Sequence, residues 1–116
     1  VQSSVAIVSG VPTTVWSYSL AEGEVIGGEL KVTGGLVVLG LTRRTRGTID
    51  FGASRSVGGV AEVSDNGPLE NGTMVGGTIA IVAIGNDALV QVTFTETGTF
   101  TYKRRLELDP VAIPQP

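Results

Sequence analysis

The stretch "TIAIVAIGNDALVQVTFTE" (78–96) reads as two strands joined by a tight turn. Isoleucine, valine and threonine dominate 78–84, 87–96 adds Val90, Val92, Thr93 and Thr95, and neither segment carries a helical period. Gly85-Asn86-Asp87 between them are residue types that tolerate positive φ, which is what closing a hairpin demands. A β-hairpin in this place sets the reading of its neighbours.

Downstream, "ETG" (96–98) turns the chain into "TFTYKRRLEL" (99–108). In strict alternation Phe100, Tyr102, Arg104, Leu106 and Leu108 share one face of that strand, and Lys103, Arg105 and Glu107 share the other. Upstream, "TTVWSYSL" (13–20) sets Trp16, Tyr18 and Leu20 against Val15, Ser17 and Ser19. "EVIGGELKVTG" (24–34) sets Ile26, Leu30 and Val32 against Glu29, Lys31 and Thr33. "GLVVLGL" (35–41) is a continuous apolar run, short enough for a strand buried on both sides. "GTIDFGAS" alternates Ile49, Phe51 and Ala53 with Thr48 and Asp50, "SRSVGGVAEV" continues as a glycine-weakened strand, and "SDNGPLENG" (64–72) is a loop.

Short strands at roughly ten-residue spacing predict an all-β fold. The expectation is one antiparallel β-sandwich, jelly-roll-like, of about eight strands over residues 1–108. The tail "DPVAIPQP" holds three of the five prolines, cannot pair as a central strand, and is expected to be an extended arm lying on a neighbour, or a linker, 109–116. The glycine pairs at 27–28, 34–35, 58–59 and 76–77 suggest bulges or close backbone approach. None forms GxGxxG before a helix, so none is a phosphate loop.

Composition excludes several chemistries. The chain has neither cysteine nor histidine, so disulfides, thiolate metal sites, ordinary zinc coordination and serine–histidine or cysteine–histidine nucleophiles are impossible. Eight basic and eleven acidic residues give a net charge of −3, and mean hydropathy is +0.29. That balance supplies no global field for nucleic acid and argues against disorder. No apolar run reaches the roughly 18–20 residues of a membrane helix, and "VQSSVAIVSG" lacks the basic n-region and long h-region of a signal peptide. No two carboxylates fall at a spacing that puts an acid/base pair on one apolar surface, so no catalytic residue, cofactor or metal is expected. Asp65, Asn66, Glu70 and Asn71 offer oxygen ligands of the kind calcium takes, but "DNGPLEN" lacks an alternating ligand pattern and reads as a plain turn.

The basic residues concentrate in "LTRRTRGTIDFGASRSVGG" (41–59). Arg43 and Arg44 fall on opposite faces of a strand, which speaks against a one-sided phosphate track, and no interleaved aromatic offers base stacking. Strand-end arginines such as Arg43, Arg44 and Arg46 can cover sheet edges or touch a neighbouring subunit. Arg104, in the middle of an apolar face, requires a partner, since a lone buried charge costs several kcal/mol. Asp50 and Glu62 are the expected carboxylates, with a subunit contact as the alternative.

The order of features adds a resemblance. An aromatic early strand ("VWSYSLAEGEVIGGELKVTG") leads through "RRTRG" to a glycine-rich "SRSVGG". A polar loop, an apolar hairpin and the aromatic and basic strand "GTFTYKRRLEL" follow. Over residues 13–108 this resembles small β-sandwich structural proteins of tailed-bacteriophage virions, tail- or fibre-associated or capsid-decorating. Many such sequences end the last strand in tryptophan where this chain has Phe100 and Tyr102. The resemblance implies a non-enzymatic virion component that meets other virion proteins and copies of itself, with no nucleic-acid or membrane partner. Arg43, Arg44, Arg46, Arg104, Pro110 and Ile113 are its expected interface residues. The alternative is a recognition module that binds a host-surface glycan or protein through Asp65, Asn66, Glu70 and Asn71, beside Trp16 and Tyr18. "TIAIVAI" has the makeup of an aggregation-prone strand unless it is covered.

Overall fold

The computed structural model describes residues 2–65 and 77–112. Eight strands follow one another: β1 (Ser3–Ile7), β2 (Thr13–Ser19), β3 (Glu24–Val38), β4 (Leu41–Arg55), β5 (Ala61–Asp65), β6 (Gly77–Ile84), β7 (Asp87–Phe94) and β8 (Gly98–Ala112). They divide into two antiparallel sheets, five-stranded in the order β1-β8-β3-β4-β5 and three-stranded in the order β2-β7-β6. This is the expected all-β sandwich. Three strands of fifteen residues run the length of the larger sheet and stretch the molecule to 57 Å.

Alternation decides what lies between the sheets. Ile26, Leu30, Val32 and Leu36 of β3, Ile49, Phe51 and Ala53 of β4, and Phe100 and Tyr102 of β8 are buried. Ala88, Val90, Val92 and Phe94 of β7 face them from the smaller sheet. Two aromatic pairs cross the layer. Trp16 meets Phe51, and Phe94 meets Phe100, each at 5.1 Å between ring centroids and tilted as the ring quadrupoles favour.

Four sequence expectations change. "GLVVLGL" is no buried strand but a hairpin: β3 ends at Val38, Leu39-Gly40 turns, and Leu41 begins β4 opposite Val38. Val37, Leu39 and Leu41 are exposed there, because apolar character alone cannot distinguish a buried run from a turn between strands. "SRSVGGVAEV" breaks at Ser56–Val60, where Gly58 takes φ +75°, and resumes as β5. In β2 the register slips between Thr14 and Trp16, so Val15 and Trp16 are both buried instead of alternating.

The fourth concerns the tail. Asp109, Pro110, Val111 and Ala112 continue β8 opposite Gly27, Ile26, Val25 and Glu24, so the strand passes the boundary expected at residue 108. Pro110 is compatible with this because β1 accompanies β8 only along Gly98–Tyr102. Among the described strands β3 alone lies beside β8 at Pro110, and edges tolerate a residue without an N–H. Ile113 and the remaining tail lie outside the described residues.

Candidate functional site: a charge-divided sheet face

The structure sorts the eight basic residues into two groups. Arg43, Arg55 and Arg104 hold the body together. Arg43 makes a two-pronged contact with Glu96, Nε to Oε1 at 2.8 Å and Nη2 to Oε2 at 3.3 Å, tying β4 to the β7–β8 turn. Arg55 donates to the carbonyls of Gly59 (3.0 Å) and Leu20 (3.1 Å) and lies 3.7 Å from Glu22, which locks together the turns at that end. Arg104 donates to the Val15 carbonyl. The bulge in β2 leaves Val15 without a ladder partner on β7, and the guanidinium of the opposite sheet takes the carbonyl. This corrects the expected carboxylate. Asp50 stands three rungs away along the sheet, and Glu62 lies on β5 opposite Ser54.

The other five, Lys31, Arg44, Arg46, Lys103 and Arg105, all stand on the outer face of the long sheet. Register brings them together. Arg105 pairs with Lys31, which pairs with Thr48; Lys103 pairs with Thr33, which pairs with Arg46; Thr101 and Gly35 lead to Arg44. The opposite faces of Arg43 and Arg44 therefore do not prevent a one-sided basic patch, since Arg44 and Arg46 share a face and two other strands contribute to it. The next outward rung is wholly acidic, Glu107–Glu29–Asp50, and Asp109 and Glu62 lie beyond it. One half of the face is thus acidic and the other basic. The halves meet where Lys31 reaches Glu29 at 3.5 Å. Gly27, Gly35 and Gly52 keep the face low between the long side chains.

The other candidate residues are placed differently. Trp16 is 7% exposed and packs in the core, so it is withdrawn from any sugar-binding role. Tyr18 is half-buried and donates to Glu24 Oε2 at 2.7 Å; that carboxylate, with burial added, holds its phenol above the ordinary value. Asp65 is the last residue of β5, and Asn66, Glu70 and Asn71 lie outside the described residues. Among the described residues no three acidic groups converge as a metal site.

A second feature sits at the tip of the β3–β4 hairpin. Leu39 is 99% exposed and has φ +50°, followed by Gly40 at +79°. Positive φ at both residues is what a type I′ turn requires, and leucine is a strained choice where asparagine or glycine is not. Leu41 at 64% exposure extends the apolar tip.

Compared with known proteins, the chain matches no family model, no curated protein and no solved structure.

Proposed function

We propose that this chain is a non-enzymatic structural subunit of a bacteriophage virion, tail- or fibre-associated or capsid-decorating, and that it works through contacts with neighbouring subunits. The hairpin tip carries this reading. A fully exposed leucine in the left-handed region costs the isolated chain about 1–2 kcal/mol and returns no burial in it. Contact with a neighbour would turn that exposure into buried area. The resemblance over residues 13–108 supplies the virion setting.

Two outcomes test it. The Leu39→Asn variant is expected to be more stable than the parent by about 1 kcal/mol, seen as a melting temperature higher by about 4 °C. The same variant should enter particles less well. Gradient-purified particles from a producing culture, analysed by mass spectrometry, should contain the parent chain in fixed ratio to the major capsid protein. A chain abundant in the lysate and missing from the particles would overturn the proposal.

A further inference from the structure

We infer that the outer face of the long sheet is a self-complementary dimer interface, on which a second copy of this chain packs face to face. The inference rests on the reading of the chain as an assembly subunit and names one of its contacts. The carrying observation is the order of charges along the three long strands.

Consider a two-fold axis lying in the interface, perpendicular to the strands, above the Leu106–Leu30–Ile49 rung. Rotation about it keeps each strand over its own copy and reverses direction along the strand. Arg105 then faces Glu107 of the second copy, Lys103 faces Asp109, and Lys31 faces Glu29. Each contact occurs twice by symmetry. An axis along the strands would instead lay the basic half over itself. Charge therefore selects one of the two ways in which the faces can stack.

The chemistry of the face suits this packing. The three pairs involve side chains exposed or half-exposed in the single chain, and each charge that association takes from water meets an opposite charge, which offsets part of its desolvation cost. Gly27 and Gly52 stand opposite Thr33 and Arg46 under the same rotation, leaving room for the longer side chains. Sheet twist favours the central pairs, Arg105 with Glu107 and Lys31 with Glu29, over those farther out. Three strands of about eleven residues offer an area on the order of 500 Å² per subunit. That is below the roughly 800 Å² per partner of a standard stable interface, so the dimer is weak and salt-sensitive. A polyanion on the basic half would use five of these residues and leave the acidic half without a role. The second copy uses both.

Sedimentation velocity with two double variants tests the proposal. One is Lys103→Glu with Arg105→Glu; the other is Glu107→Lys with Asp109→Lys. The parent chain should show concentration-dependent dimers at low salt, with the dissociation constant rising at least about tenfold towards 0.5 M salt. Each variant alone should be monomeric with an unchanged far-ultraviolet spectrum and melting curve, and an equimolar mixture should dimerise. That rescue cannot arise from misfolding or from an anion site. A parent that stays monomeric at concentrations on the order of 1 mM in low salt overturns the interface. So does a mixture that stays monomeric, or a dimer that survives in both variants. Loss of association in the Glu107/Asp109 variant rules out a polyanion on the basic half as the cause. Dimerisation by a chain absent from particles would sink the virion reading and leave this interface standing.

Discussion

Replacing Gly34 by alanine is expected to destabilise the fold by about 3 kcal/mol or more. A Cβ at this position would lie 2.2 Å from the Thr101 carbonyl oxygen and 2.8 Å from the Tyr102 Cα. Both neighbours are backbone atoms of β8, held by β1 on one side and β3 on the other. A flexible side chain could swing away, whereas a strand in the middle of a ladder cannot without breaking its own pairing. Gly27 on the same strand is the internal control, because a Cβ there meets nothing nearer than a carbonyl oxygen at 4.0 Å. Gly27→Ala should change stability by less than about 1 kcal/mol. Urea denaturation of both variants checks the contrast, and equal effects would show that the close approach at Gly34 relaxes freely.

Phe100→Ala should cost about 3–5 kcal/mol, a large part of the roughly 5–15 kcal/mol that holds a domain of this kind together. Phe100 is fully buried, meets Phe94 of the smaller sheet at 5.1 Å and stacks on Tyr102 at 4.9 Å. Its removal opens a void at one of the two points where aromatic rings join the sheets, and rigid strands on both sides limit collapse into that void. Leu106 stands on the same face of the same strand but is 36% exposed, so Leu106→Ala should cost about 1 kcal/mol. The urea midpoint should fall in that proportion with the m-value unchanged. A Phe100→Ala loss no larger than that of Leu106→Ala would mean that the layers close over the gap.

Both contrasts turn on information of different origin. That Phe100 and Leu106 share a face follows from their even spacing along one strand. Which of them is deeply covered depends on where the shorter sheet ends above them. The same division runs through the candidate site. Arg104 required a partner by its position on an apolar face, but the partner is a carbonyl freed by a bulge on β2. A bulge is a local slip imposed by packing Val15 and Trp16 together, and no turn residue or spacing announces it. The "GLVVLGL" hairpin carries no turn signal for a related reason: its turn is Leu39-Gly40, where a leucine stands in the place usually taken by asparagine.

What the sequence determined by itself is the all-β character and the parity of the long strands β3, β4 and β8 away from their turns. β-branched alternation with turn residues made the fold all-β. It placed Glu29, Lys31 and Thr33 on one face and Lys103, Arg105 and Glu107 on one face. What only the tertiary structure decided is the register among β8, β3 and β4, which sets Arg105 beside Lys31 and Glu107 beside Glu29. Side-chain alternation has a period of two residues, so it fixes a face and is blind to any even shift along the strand. β3 and β8 lie far apart in the chain, with no short turn to set their alignment. That alignment comes from seating Ile26, Leu30, Val32 and Leu36 with Phe100 and Tyr102 against the second sheet. The division of the outer face into an acidic and a basic half is therefore a consequence of how the inner face packs.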